Sequence, residues 1–468
     1  RYSPLTQITV ENVAMLERVW SFHLKPADYT GRLREDQAIP LVIDTTMYLA
    51  SPYGAVIALD ATTGAEQWRF ELPENAVPSK RGIAYWPGDG DIPPSLLFGA
   101  SSGTLYSIKA SDGTVNTGFG ENGIVNLKTP EVMRNFPDAG YLLLSAPTVY
   151  KNLVITGAGT GEGRGFPNGT GPAGDTRAWD ARTGSRLWAV DHRSKFGKRP
   201  HPYWGAATSP LVVDDRLFIH FGNDDSGFLA ALDLDSGNEI WRNGKNGASY
   251  SSPLYAELEG TRQIIEWNHE DLQGVEINSG RQLWKYHLPH RGTDQNMPTP
   301  TIHDGHVLVG GENRGLRSIH PHLKGGKWIV TEKWHQKRAS LDMSTAVINR
   351  GQLYGMTHHG LGQLFCIDTK NGNIIWQGPG RAGQNATFLS MPGHILTLFD
   401  DGSLQIMEAS GAESKKVAEY NVADKPTWAA PVLLKEGILI KDRHAVSYTH
   451  LRAHETRHDL VCRLLLEK

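Results

Sequence analysis

Apolar and polar positions alternate in short runs along this chain, and many of the runs end in the same way. AlaLeuAspAlaThrThrGlyAlaGluGlnTrp closes at Trp68, AlaTrpAspAlaArgThrGlySerArgLeuTrp at Trp188, AlaLeuAspLeuAspSerGlyAsnGluIleTrp at Trp241, GlyValGluIleAsnSerGlyArgGlnLeuTrp at Trp284 and CysIleAspThrLysAsnGlyAsnIleIleTrp at Trp376. Alternating runs bounded by Gly-containing turns are the pattern of half-buried strands. Each unit therefore reads as a short apolar strand, a turn, a second strand carrying the AlaLeuAsp phrase, a tight turn and a strand ending in Trp. The Asp accepts hydrogen bonds from turn amides, and Gly64, Gly184, Gly237, Gly280 and Gly372 supply the positive φ that the turn requires. A Trp at constant offset from that turn lands between neighbouring sheets, where its face is buried and its ring N–H needs a partner.

The spacings from Trp188 to Trp241, Trp284, Trp334 and Trp376 are 53, 43, 50 and 42 residues, close to the roughly 40–50 residues of a propeller blade. The expected fold is all-β, a β-propeller. Successive units fall at about 40–72, 83–127, 145–191, 205–243, 250–288, 298–335, 344–378 and 386–421. Residues 428–445 supply part of a ninth, and LeuGluArgValTrpSerPhe around Trp20 supplies its missing strand, which closes the ring and removes exposed edges. The literal count is nine units.

With 468 residues, a net charge of −3 and 39% hydrophobic content, the chain can bury a large core without staples. No apolar run approaches the roughly 20 residues that span a bilayer, so no transmembrane segment is expected. No basic cluster is present, which argues against a nucleic-acid partner. Cys366 and Cys462 are the only cysteines, and without a Cys-x-x-Cys-His run no attached haem is expected. The first residue is Arg1, and the opening reads as mature protein from which any signal peptide is already gone. Residues 446–468 drop the repeat grammar and crowd charges and histidines, so they are read as a non-native tail resembling adaptor read-through, leaving residues 1–445 as a single propeller domain.

ArgTyrSerProLeuThrGlnIle at 1–8, ArgGlyIleAlaTyrTrpPro at 81–87, GlyPheGlyGluAsnGlyIleValAsnLeu at 118–127 and TyrLysAsnLeuValIleThrGly at 150–157 closely resemble the quinoprotein dehydrogenases. From about Trp188 the phrases TrpGlyAlaAlaThrSerProLeu, GlnAsnMetProThrProThr and ProThrTrpAlaAlaProVal are more similar to the broad family of quinone-binding-like repeat propellers. The first resemblance implies an eight-bladed periplasmic propeller that oxidises a small alcohol or sugar by hydride transfer to pyrroloquinoline quinone (PQQ), with calcium, and passes electrons to a separate acceptor. The second implies an alternative, a noncatalytic propeller that binds protein or carbohydrate. Eight blades are adopted as the expectation on the strength of the family.

Chemistry in a propeller gathers where the loops entering the first strands meet the turns between second and third strands. Arg81 matches the family arginine that contacts the quinone, and a guanidinium suits a planar carboxylate. Glu162 falls where the family places a calcium-binding glutamate and Asn223 near the family's calcium-binding asparagine, and both are hard oxygen donors. Trp204 sits close to the tryptophan that stacks beneath the quinone. The family's catalytic aspartate phrase has no counterpart here. Glu270 or Asp271, in TrpAsnHisGluAspLeuGlnGly, is the nearest candidate for the base that takes the alcohol proton. His358 and His359, read as neighbours on a strand, should point to opposite faces and share no ion.

Overall fold

The computed structural model describes residues 3–5, 9, 12–31, 36–134, 136–158, 175–190, 196, 202–203, 205, 207–292, 295–409, 411–435 and 437–451. Among them are nine four-stranded antiparallel sheets, and the strands of eight of these follow one another in chain order. Blade 1 is built from Leu41–Ile43, Thr46–Ser51, Ala55–Asp60 and Glu66–Glu71, and blade 2 from Ala84–Trp86, Ser95–Gly99, Thr104–Lys109 and Ile124–Asn126. Blade 3 is Thr148–Tyr150, Leu153–Thr156, Thr176–Asp180 and Arg186–Val190, and blade 4 is Leu211–Val213, Arg216–Gly222, Gly227–Asp233 and Glu239–Asn243. Blade 5 is Leu254–Leu258, Thr261–Trp267, Asp271–Glu276 and Gln282–His287. Blades 6, 7 and 8 begin at Thr301, Val347 and Ala386.

The count is therefore the literal nine rather than the eight of the family resemblance. Each unit read from the sequence becomes one complete sheet, so no unit is left over to merge with a neighbour. First strands of neighbouring sheets touch one another, as Ala84–Trp86 does with Thr148–Tyr150 and Val347–Asn349 with Ala386–Met391, which places these short strands around the axis.

The last sheet closes the ring. Val432–Leu433, Gly437–Lys441 and Ala445–Leu451 pair in sequence, and Leu16–His23 adds the fourth strand, with Leu16 opposite Leu451, Trp20 opposite Tyr448 and His23 opposite Ala445. Residues 446–451, assigned above to the non-repeat tail, thus form a strand with two neighbours, and the sheet runs six residues past the expected boundary at 445. Val446, Ser447, Tyr448 and Thr449 are all buried there, so both faces of the segment are covered, as befits a strand with a neighbour on either side. Residues 452–468 lie outside the described residues. Lys441 forms a buried ion pair with Asp36, in the segment that leads into blade 1, so a charge contact also ties the last sheet to the first.

The recurrent tryptophan works at the joints between sheets. Trp20, Trp68, Trp188, Trp241 and Trp334 donate Nε1–H to the carbonyl oxygens of Thr62, Ala110, Leu234, Ile277 and Thr369, each on the following sheet, at 2.8 to 3.1 Å. Each ring lies over the turn glycine of that sheet, so a Cβ added at Gly64, Gly113, Gly237, Gly280 or Gly372 would meet indole carbons at 2.5 to 2.6 Å. Trp284 departs from the rule and donates to Gln263 of its own sheet at 2.7 Å. The reason lies in blade 6, whose last two strands, Gly315–Lys324 and Lys327–Gln336, form a long hairpin through Gly325 and Gly326. That hairpin lacks the Asp-turn-Gly phrase and offers no glycine for Trp284 to cover.

Candidate functional site

Two sets of loops build the mouth: the segments entering the first strands, and the turns between second and third strands. Several large apolar side chains stand exposed on them, among them Ile39, Tyr203, Met343, Leu361 and Trp428, with Tyr203 at 58% and Met343 at 62% exposure. Exposed apolar and aromatic groups beside polar turns are the mix of side chains from which ligand-binding sites are built.

Arg81 lies on the mouth segment that enters blade 2. Ser79, beneath it, is buried and donates Oγ–H to Leu144 O at 2.7 Å, and its N–H goes to Gly99 O at 2.8 Å. Gly82 follows with φ +121°, a conformation that frees the chain to turn sharply. Ile83 and Trp86 enter the core, and Trp86 Nε1 donates to Asn152 Oδ1 at 3.1 Å. The apolar half of the motif thus anchors the segment, while the exposed Arg81 side chain makes a long contact from Nε to Gln37 Oε1 at 3.4 Å.

Asn223 sits on the turn of blade 4. Its Oδ1 accepts from Asp225 N at 2.9 Å and Ser226 N at 2.8 Å, the arrangement in which Asn caps its own turn. Its backbone oxygen accepts from Ala248 N at 2.9 Å, and Gly247 O accepts from His269 N at 3.0 Å. The loop 244–253 therefore laces the turn of blade 4 to that of blade 5 and brings Asn223 beside His269. Glu162 and Trp204 lie outside the described residues. Arg81 stands on a different part of the ring from this group.

The turn of blade 5 holds both candidate bases, in different settings. Asn268 Oδ1 caps it by accepting from Glu270 N at 3.0 Å and Asp271 N at 2.8 Å. Asp271 is buried with both carboxylate oxygens engaged: Oδ2 accepts from Asn246 Nδ2 at 2.9 Å, and Oδ1 meets His287 Nδ1 at 3.0 Å. Lys285 Nζ is 3.6 Å away. Asp271 therefore orients the exposed His287 ring. Glu270 is half-buried, and its backbone oxygen accepts from Leu288 N at 3.0 Å.

Behind the turn, His220 and Glu266 form a buried pair across the joint of blades 4 and 5, and Gln273 Nε2 donates to Glu266 at 2.6 Å. Burial alone would raise the Glu266 carboxyl, but His220 and the hydrogen bonds from Gln273 and Asn268 outweigh it and hold the group below its ordinary range. His269 is buried and its ring stacks on His290, centroids 3.5 Å apart. Desolvation, then the neighbouring His290, lowers its proton affinity, partly offset by Asp224, Glu270 and Asp225.

His287 and His290 are site residues that the sequence reading did not reach. They close and follow the fourth strand of blade 5, and the signal was the phrase TyrHisLeuProHis just after Trp284, where a loop must return to the mouth. His358 and His359 differ from expectation. They lie on a turn rather than a strand, and their ring centroids come within 4.3 Å. His358 Nε2 pairs with Asn313 Oδ1 at 3.0 Å and His359 Nε2 with Ser340 Oγ at 3.4 Å.

Comparison with known proteins divides the chain much as its phrases do. Residues 1–208 match the family described as the β-propeller domain of glucose/ethanol/alcohol dehydrogenase, and residues 159–378 match that of the outer membrane protein assembly factor BamB. The quinate/shikimate dehydrogenase (quinone) of Acinetobacter baylyi is 28% identical over 333 residues, covering 64% of this chain and 38% of that protein. The quinoprotein glucose dehydrogenase of Escherichia coli is 25% identical over 324 residues, covering 63% and 37%. The chain thus spans well under half the length of these curated relatives. In fold it is similar to the quinohemoprotein alcohol dehydrogenase of Comamonas testosteroni, with a TM-score of 0.61 at 17% identity over 97% of this chain and 79% of that one. Residues 1–208 carry the quinoprotein dehydrogenase pattern and residues 159–378 that of the BamB-type propellers, the two overlapping around Trp188.

Proposed function

We propose that the chain is a quinoprotein-type oxidoreductase that oxidises a small alcohol or sugar at the propeller mouth. The observation that carries this reading is the exposed Arg81 on a braced loop within the stretch that matches the dehydrogenase propellers. PQQ is planar and tri-acidic, and the mouth offers what such a group needs: a guanidinium whose contact to Gln37 is long, and exposed aromatic faces at Tyr203 and Trp428. When bound, the quinone supplies the acceptor for hydride. Arg81 would hold a carboxylate of it, with Trp204 as the stacking face. Glu162 and Asn223 would be calcium ligands, Asn223 exchanging a hydrogen bond of its own turn for the ion.

Glu270 is the first choice for proton acceptor, since its carboxylate is half-buried on the mouth turn. Asp271 would act through His287, whose ring it fixes by a 3.0 Å contact. Asn268 positions both carboxylates by capping the turn. Electrons would pass to a separate acceptor. The periplasm is the compartment we propose; among the described residues no helix is long and apolar enough to cross a membrane.

A second reading has its own support. Residues 159–378 match the BamB-type propellers, and the carboxylate of Asp271 is already engaged by Asn246, Lys285 and His287. On that reading the mouth binds protein or carbohydrate without catalysis. Adding PQQ and Ca²⁺ to the folded chain separates the two: a ligand bound only by the native state raises the melting temperature by mass action. A quinone spectrum that co-purifies with the protein and a rise in melting temperature are expected. Neither, in folded protein, leaves the binding scaffold.

A further inference from the structure

Blade 5 and the loop after it bring two imidazoles and a carboxylate to one point. His269 and Glu270 are consecutive in the turn between Thr261–Trp267 and Asp271–Glu276, and His290 lies three residues beyond the end of Gln282–His287. An imidazole nitrogen of each histidine and a carboxylate oxygen of Glu270 all lie within 4.8 Å of one another. The arrangement is braced from below. His290 N donates to His269 O at 3.0 Å, and fully buried Asn296 donates to Asn268 O at 2.7 Å while accepting from Arg314. Arg314 also donates to Pro289 O and Gln295 O, both at 2.9 Å, which fixes the loop on either side of His290.

A second observation points to a ligand. Nδ1 of His290 is buried and has no hydrogen-bond partner among the described residues, an arrangement that buried polar atoms in native proteins rarely keep without an ion or water.

We propose that His269, Glu270 and His290 bind a divalent transition-metal ion of the zinc, cobalt or nickel class. Two imidazoles and one carboxylate form a borderline donor set that suits these ions, whereas calcium takes about six to eight oxygens. Three protein ligands leave a tetrahedral ion an open position for water or substrate oxygen. The site goes beyond the quinone reading and uses none of its cofactor contacts. An ion held through one oxygen of Glu270 leaves the second oxygen for the proton-accepting role.

The test uses the full chain, stripped with a chelator and titrated with Co²⁺ in the absence of quinone and calcium. One Co²⁺ per chain should bind, with visible d–d absorption, and be displaced by stoichiometric Zn²⁺ but not by excess Ca²⁺. His269→Gln, His290→Gln and Glu270→Gln should each weaken binding by more than about tenfold, since even outer-shell changes at metal sites cost that much. Absence of a saturable site, or a site unchanged in His290→Gln, overturns the proposal. That variant lies in a loop, so the test does not depend on the buried His269 variant folding. The quinone thermal shift measured on the same protein fails or succeeds separately, so loss of one result does not imply loss of the other.

Discussion

The joint between blades 3 and 4 offers a sharp test of why the repeat phrase has its glycine. Gly237 has φ +68°, its amide donates to Asp233 O at 2.9 Å, and a Cβ there would lie 2.6 Å from Cγ and Cδ2 of Trp188. Two costs follow for Gly237→Ala. Left-handed backbone costs a residue with a Cβ about 1–2 kcal/mol, and overpacking a fixed neighbour costs about 1–3 kcal/mol. Trp188 cannot easily give way, because it is buried and its ring N–H is held by Leu234 O at 2.8 Å. The sum is about 2–5 kcal/mol. Gly260 is the control, with φ +67° and nothing within 4 Å of an added Cβ, so Gly260→Ala bears the backbone cost alone. Guanidinium unfolding should place the midpoint of Gly237→Ala below that of Gly260→Ala by the equivalent of about 1–3 kcal/mol at unchanged slope. Equal midpoints would refute the wedge between indole and turn. A Trp188→Leu background should shrink the difference, as a double-mutant cycle requires of groups in contact.

Other consequences follow from the same contacts. Lys441→Met strands the Asp36 carboxylate in the core at the ring closure, and should cost about 3–5 kcal/mol in denaturant unfolding, whereas adding Asp36→Leu should restore much of it; a silent Lys441→Met contradicts a buried pair. His269, His320, His335, His359 and His444 all have proton affinities lowered first by burial, from an ordinary value of 6.5. The unfolded chain therefore binds these protons first, so stability is full above pH 6.5 and falls as the pH drops from there toward the lower folded values; a flat unfolding midpoint between pH 8 and about pH 5 would count against that burial. Arg81→Ala should weaken quinone binding about 10–100-fold, the range for a charge-assisted hydrogen bond, with stability unchanged to within about 0.5 kcal/mol. Unaltered affinity removes Arg81 from the site.

The sheets were legible because their signals are local. Asp60, Asp180, Asp233 and Asp368 cap their own turns through Oδ1, and the Trp offset from each turn is constant, so one phrase encodes both a hairpin and an interblade contact. The blade number was legible in the units but not in the family, since nine sheets can close where eight do elsewhere. The final strand was hidden because the short run 446–449 leads directly into histidines and charges that read as tail. The site was harder to read because its members meet only through the ring. Asn223 and His269 are joined by loop 244–253, and His290 reaches His269 through a backbone bond, a proximity that no spacing in the chain expresses. The engagement of Asp271 by Asn246 and His287 was equally invisible, because it depends on which strands face each other.

The central claim is that the mouth of this propeller holds a quinone beside Arg81. The most direct measurement is a structure of the full chain prepared with PQQ and Ca²⁺. The account predicts a planar ligand at the mouth with one of its carboxylates on the Arg81 guanidinium. An empty mouth in crystals grown at saturating quinone, or a quinone bound elsewhere with Arg81 still on Gln37, would contradict it.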